Sequence, residues 1–386
     1  MDFQNVNPLN AQLNKLSGNL LPMTGDDPLF PIAWRVYSTV VWLMEVVQVS
    51  AIIPALMYVS REKILQDATV GVVISVEAFF LFARMHAHRD LVSRLIRKLN
   101  DFLSERDDVM ESIVRSTLKP VQTPLKFYWI AGSVSVFVWC CMSFVPVLGR
   151  RHFFYEDYRV PVAFSRQPFS LDVFLVGNLI VTVSSIYIFT RKVAMDVYMI
   201  NLILLVTAQY RYVSTRLTAL FRESSSQNQR VKSPKGYSDA NSWAETEMKD
   251  LCRIHNTIIH ITPILKKLLS VNFSLIYLNN VFRFCFNGIM LIIAISSAPV
   301  EALMIFMYMS GGLVQLYILC LCAHQLLEAS MQVTDTAFHE KWYHFGSSLK
   351  RMFLMIIAAN NLECKLAAFD KFNLSLPSFM TVRLNH

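Results

Sequence analysis

The chain has 386 residues, of which 54% are hydrophobic and only 17% charged, and its mean hydropathy is +0.39. Soluble globular chains carry roughly 25% charged residues, and here the apolar residues come in long blocks, which excludes an ordinary soluble core and points to a membrane protein. The net charge is +8, but Lys and Arg form no nucleic-acid-type runs, so no nucleic-acid partner is implied. The seven cysteines show no framework spacing and sit mostly in apolar runs, where cysteine behaves as a small buried hydrophobe.

Residues 1–33 are polar with scattered apolar positions and lack a basic start followed by an apolar run, so they do not read as a signal peptide. Residues 1–35 are therefore expected to be a cytoplasmic amino-terminal segment, with the first span directing insertion. A spanning helix needs about 20 mostly apolar residues, and six segments qualify or nearly do: 36–57, 68–82, 127–148, 173–190, 271–294 and 300–321. A further apolar run, 353–359, is too short to cross. The polar Ser-, Pro- and Gly-bearing stretch 223–240 reads as a flexible loop.

Segment four is followed at once by RKVAMD and a second apolar run, 197–210, with no Gly or Pro between them. Fourteen residues are too few to return across a bilayer. The expected structure is one long helix that leaves the membrane near Arg191 and continues into the cytoplasm, its apolar side covered by other helices. The candidates for that cover are 248–269 and 326–352, so a cytoplasmic helical layer is predicted beneath the bundle.

Orientation follows from Lys and Arg. With the amino terminus inside, twenty-eight basic residues fall on the cytoplasmic side and six outside, and leaving out the long segment after span four still gives sixteen against six. The topology is thus expected to be inverted relative to rhodopsin-like receptors.

No catalytic motif is present: there is no GxGxxG, Walker loop or GxSxG, and HEKWYH places its histidines five apart, off a common helical face. Neither an enzyme nor a cofactor is expected. Ionisable residues inside spans are costly and are functional candidates, and three stand out: Glu45, Glu77 and Arg283. Two readings of Arg283 stand. It belongs to a polar stripe with Asn279, Asn280 and Asn287 facing a cavity, or it is neutralised by Glu77 or Glu45 in a pair that holds helices together. Aromatic and Met residues of segments two, three and six, among them Phe79, Phe80, Trp129, Phe137, Trp139, Phe144, Met304, Met307 and Tyr308, would make an apolar, adaptable pocket or plain bundle packing.

Residues 329–379, ASMQVTDTAFHEKWYHFGSSLKRMFLMIIAANNLECKLAAFDKFNLSLPSF, resemble the carboxyl-terminal region of insect odorant receptors. The pattern is carried by Ala337-Phe338, Trp342-Tyr343, a basic apolar run, a small-residue turn and the LSLPSF step. Asp196, His255 and the extended stretch 158–169 also fit. The resemblance implies an all-α, inverted seven-helix subunit spanning 36–381, with residues 382–386 as an atypical tail. It further implies a plasma-membrane odorant-gated cation channel of olfactory sensory neuron dendrites, assembled as a heterotetramer with a shared co-receptor. The odorant pocket is expected in the outer half of the bundle, near Phe80, Phe137, Cys140, Phe144, Asn178, Met307 and Tyr308, and its ligands are small volatile molecules.

In that family the seventh helix begins at the LSLPSF step and lines the pore. Here the chain stops where the pore helix is expected to begin, and about 15 to 20 further residues would be needed to cross. A non-conducting, truncated subunit and a reading of intron as exon at Val382-Arg383 are both consistent with this ending. Gustatory receptors are the related alternative. A secondary transporter would show two pseudo-symmetric halves with broken helices, and no such symmetry appears.

Overall fold

The computed structural model describes the chain except residues 25–29, 62–63, 65–68, 105–106, 231–233, 298, 340–341, 343–345, 361–366, 369–371 and 374–386. The expected start of a seventh helix at 374–379, the tail 382–386 and Tyr343 of the family pattern lie outside the described residues.

The described chain is almost wholly helical. In order the helices are α1 (Phe3–Val6), α2 (Pro8–Leu16), α3 (Ile32–Ala55), α4 (Thr69–Ala87), α5 (Arg89–Ser104), α6 (Asp108–Met142), α7 (Leu171–Arg230), α8 (Pro234–Ser297), α9 (Pro299–His339) and α10 (Ser347–Asn360). A two-residue antiparallel pair, β1 (Ala367–Ala368) with β2 (Phe372–Asn373), follows. Among the described residues, five stretches are long and apolar enough to cross a membrane: Ile32–Ala55, Asp108–Leu148, Leu171–Glu223, Ser242–Ile295 and Pro299–His339. The chain is an all-α, multi-pass membrane protein.

Fold and solvent divide each long helix in two. Toward the 150–170 loop the outward positions are bare hydrocarbon: Val46, Val47 and Ile53 on α3, Phe127, Ile130 and Val134 on α6, Ile289 and Ile292 on α8, Leu303 and Phe306 on α9. Such a continuous apolar belt suits lipid rather than water. At the other end the helices bury their apolar stripes on one another. As expected from the unbroken run after segment four, α7 continues through Arg191 without a break, and every residue from 190 to 210 is buried. Apolar residues around the whole circumference leave a helix no face for solvent, so it becomes the axis of the layer.

The cover for that axis also matches the expectation. From α8 come Met248, Leu251, Ile258, Leu265 and Leu269, and from α9 come Leu326, Ala329, Val333 and Ala337. These recur three, four or seven residues apart, the spacing of one helical face. Each fully buried Leu, Ile or Phe contributes about 1.5–3 kcal/mol. Amphipathic α5 supplies a further wall, with Val92, Leu95, Ile96, Leu99 and Phe102 buried while Arg94, Arg97 and Lys98 stay outside. Helix α6 starts cleanly because Asp107 caps it, its carboxylate accepting from the Val109 amide at 2.9 Å, with Asp108 and Glu111 in the favoured first turn.

The amino-terminal segment is a packed part of this layer. Phe3 is fully buried and meets Tyr198 edge-on at 5.6 Å, and the Tyr198 hydroxyl donates to the Pro22 carbonyl at 2.6 Å. The flexible loop expected at 223–240 is instead helical in its backbone up to Arg230 and again from Pro234. Ends of two helices already anchored in the buried layer extend into it, and propagating an existing helix is far cheaper than nucleating one.

At the opposite end, residues 150–170 fold back as a cap. Phe153 and Phe169 exchange backbone hydrogen bonds at 3.1 and 3.0 Å, and the Ala163 amide donates to the Ala51 carbonyl at 2.9 Å. Phe153, Tyr155, Tyr158, Val160, Val162 and Phe174 form a second small core around them.

Candidate functional site

Between the cap and the buried layer lies a cavity of about 510 Å³ walled by α3, α4, α6, α7, α8 and α9. Its walls are mainly aliphatic, aromatic and thioether groups, including Trp139, Ile188, Phe189, Met304, Ile305 and Val314. Arg159 and Glu301 stand in its lining toward the cap, 3.6 Å apart. Volume and lining are those of a site for a small, mostly apolar molecule.

Its floor is polar. Lys192 on α7 pairs with Glu77 on α4, and Glu77 also accepts from the Asn279 amide on α8. Beside them the Asp196 carboxylate accepts from the Tyr128 hydroxyl at 3.1 Å and from the Gln315 amide at 2.9 Å. Five helices therefore meet in two neighbouring hydrogen-bonded groups that share α7 beneath the cavity, and Tyr128, Lys192 and Arg283 reach its surface. Arg283 lies over the Tyr308 ring, with Cζ 4.1 Å from the centroid, and donates to the Tyr308 carbonyl at 3.4 Å.

The pairing expected for Arg283 is not found. Glu77 is taken by Lys192, and Glu45 lies 4.0 Å from Arg191 on α7, whose guanidinium also covers the Trp42 ring at 3.7 Å. Among the described residues Arg283 has no carboxylate partner; of the expected polar stripe it lines the cavity with Asn287, whereas Asn279 and Asn280 are not in the lining. The signal for the true pairs was in the sequence: Arg191-Lys192 sit inside a continuous apolar helix, where each buried cation requires an acid.

Of the seven residues expected near a pocket, Met307 and Tyr308 are in the cavity wall. The other five are outside it. Phe137 is 66% exposed on the outer face of α6 and Phe80 is 42% exposed on α4. Cys140 is buried off the cavity, and Phe144 lies in the turn beyond α6. Asn178 is fully buried and donates to the Ser143 carbonyl at 3.1 Å, joining α7 to the end of α6. Depth along a helix is readable from position, but phase is not: the cavity face of α6 runs through Tyr128, Gly132, Ser135 and Trp139, which turns Phe137 away.

Gly132 has a specific role in the wall. A Cβ there would overlap the Phe189 ring, which stacks on Trp129 at 5.8 Å. Gly132→Ala is expected to push Phe189 toward the cavity and weaken binding of the bulkiest ligands at least tenfold, with smaller ligands less affected. A dose–response series ordered by ligand volume checks this, and a uniform shift across sizes would contradict it.

The bundle is a multi-pass membrane protein with a ligand-sized, mostly apolar cavity over a buried polar floor. Residues 65–384 match the model of the 7tm Odorant receptor family, and the chain belongs to that family. The fold agrees. The structure of the insect olfactory receptor OR5 from Machilis hrabei in complex with eugenol superposes with a TM-score of 0.77 at 14% identity, covering 98% of this chain and 95% of that one. A second structure of the same receptor gives 0.74 at 13% identity, with the same coverage. The putative odorant receptor 85d of Drosophila melanogaster is 22% identical over 122 residues, 32% of this chain and 29% of that protein, so the matched stretch spans under a third of that relative.

Proposed function

We propose that this odorant receptor is the ligand-binding subunit of an odorant-gated cation channel, working with a co-receptor subunit in the plasma membrane of olfactory neurons. The observation that carries the reading is the cavity of about 510 Å³ enclosed at one end by the cap and floored at the other by the interhelical polar cluster. A small volatile molecule placed there contacts six helices at once. Any difference in fit between two arrangements of those helices becomes a bias on the equilibrium between them, which is the thermodynamic requirement for gating. The buried layer built on α7, α8 and α9 is the rigid body through which that bias reaches neighbouring subunits. The charge distribution supports an amino terminus on the cytoplasmic side.

The test is co-expression with an insect co-receptor in cells under voltage clamp, using a panel of small volatiles that starts with eugenol, the ligand of the Machilis receptor structure. Odorant-evoked cation current that needs both chains is the expected result. Uptake of a solute without current would favour a transporter, and current without the co-receptor would remove the co-receptor part of the proposal. An amino-terminal epitope reached by antibody in intact cells would overturn the orientation.

A further inference from the structure

We infer that the cavity floor reads a hydrogen-bond-accepting oxygen, so that the preferred ligands are neutral carbonyl compounds (esters, ketones, aldehydes) rather than hydrocarbons or carboxylates of equal size. The inference rests on the cavity being the odorant site and specifies its chemistry.

The carrying observation is a set of unpartnered donors on two side chains of the cavity wall. Arg283 is only 6% exposed, and a guanidinium has five N–H donors and no acceptor. Its Nη2 donates to the Tyr308 carbonyl, while Nε and Nη1 are buried without a partner. The Tyr308 hydroxyl is likewise buried and unpartnered. Both side chains line the cavity. Stacking on the Tyr308 ring eases the charge of Arg283 but leaves its N–H groups unfilled. The guanidinium reaches this place because α9 carries Gly312 there: a Cβ would stand 3.3 Å from the Arg283 Cζ and 2.9 Å from the Asn280 Oδ1.

Charge chooses among acceptors. The floor holds two cations, Lys192 and Arg283, and two acids, Glu77 and Asp196. Each acid already takes two donors, Lys192 and Asn279 for Glu77, Tyr128 and Gln315 for Asp196. Among the described residues that line the cavity, the buried donors left without a partner are those of Arg283 and Tyr308, while the unpartnered acceptors Asp196 Oδ1, Asn280 Oδ1 and Gln315 Oε1 belong to residues off the cavity wall. A carbonyl oxygen, with two lone pairs, fills them without adding charge. A carboxylate would bring a third negative charge beside Glu77 and Asp196 into a low-dielectric site. A hydrocarbon offers those donors no acceptor and leaves them unfilled. The apolar walls formed by Ile188, Phe189, Met304, Ile305 and Val314 take the rest of the molecule.

The experiment measures binding to the purified full-length chain, alone and with its co-receptor, for hexyl acetate, decane and octanoate, which have equal numbers of heavy atoms. Thermal stabilisation and quenching of Trp139, which lines the cavity, give the affinities. Hexyl acetate is expected to bind about ten- to a hundredfold tighter than decane, the range of a hydrogen bond to a charged donor, and tighter than octanoate. Arg283→Met is expected to erase the ester preference, bringing hexyl acetate and decane to equal affinity. Tyr308→Phe keeps the ring and removes a hydroxyl that has no protein partner, and is expected to cost the ester alone about threefold. Should Arg283→Met fail to fold, Tyr308→Phe decides. Equal affinity for ester and alkane, or an ester preference untouched in Tyr308→Phe and Arg283→Met, overturns the inference. Octanoate binding tightest overturns the neutral class. Ester-selective binding without evoked current would refute the channel reading and leave this one standing, whereas current with no ester preference would do the reverse.

Discussion

Lys192→Met is expected to remove the protein from the cell surface, while Lys192→Met combined with Glu77→Gln brings much of it back. The Lys192 side chain is 5% exposed and that of Glu77 is fully buried. Taking away the cation leaves a carboxylate in a site where only the Asn279 amide still answers it. Breaking a buried pair from one side costs about 3–5 kcal/mol, against a total stability of about 5–15 kcal/mol for a folded domain. The double substitution removes both charges together and keeps an oxygen for Asn279, so no uncompensated charge stays behind. Removing both partners of a buried polar contact is far milder than removing one. Surface labelling, with size-exclusion profiles of a fluorescent fusion, separates the two outcomes. A single Lys192→Met that reaches the surface like wild type would show that the cluster does not hold the helices together. The pair links α4 to α7, and Asn279 brings in α8, so its loss loosens the floor of the cavity at the place where membrane bundle and buried layer join.

Tyr158→Ala is expected to open the cap. Tyr158 is fully buried, stacked between Phe169 at 5.7 Å and Phe174 at 5.0 Å, with its hydroxyl donating to the Val173 carbonyl at 3.3 Å. Burial pushes its phenol above the usual range, so the group stays protonated and remains a donor at any physiological pH. It also rests on Gly177, where a Cβ would lie 2.9 Å from the Tyr158 Cζ. Truncating so large a buried ring costs about 3–5 kcal/mol, and the cap core is too small to absorb that loss. Residues 150–170 should then be cleaved by added protease many times faster. Because Arg159 and Val160 line the cavity, ligand sensitivity should fall with the cap. Tyr158→Phe keeps the stacking and gives up one long hydrogen bond, so it should behave nearly as wild type. Equal protease resistance in Tyr158→Ala and wild type would mean that the backbone bonds of Phe153, Phe169 and Ala163 hold the cap unaided.

Much of the architecture is legible in the residues alone. The unbroken apolar run after Arg191-Lys192 announced a helix that outlasts the membrane, because no Gly or Pro interrupts it and fourteen residues cannot recross. The stretches 248–269 and 326–352 stood out as the helices to cover its apolar side. Arg283 was visible as a polar group at mid-span. These are local properties: length, periodicity and composition act along one helix and survive whatever it packs against.

What the residues left open were pairings and phase. Glu77 and Glu45 were both in reach of Arg283 on paper, but α7 brings Lys192 and Arg191 to them instead. Asn178 fitted the depth of a pocket and turned out to tie α7 to the end of α6. Phe137 shares its depth with Val136 and Val138 yet points to the membrane, because a rotation of 100° per residue decides which side chain meets the cavity and nothing within α6 sets that rotation. Composition and periodicity determined that this chain is a helical membrane protein with a packed layer beyond its spans. Only the tertiary structure decided which buried charges neutralise each other, that Arg283 keeps donors to spare, and which faces enclose the cavity. Partner choice among buried ions, and the rotation of one helix against five others, are set by contacts between residues tens to hundreds of positions apart.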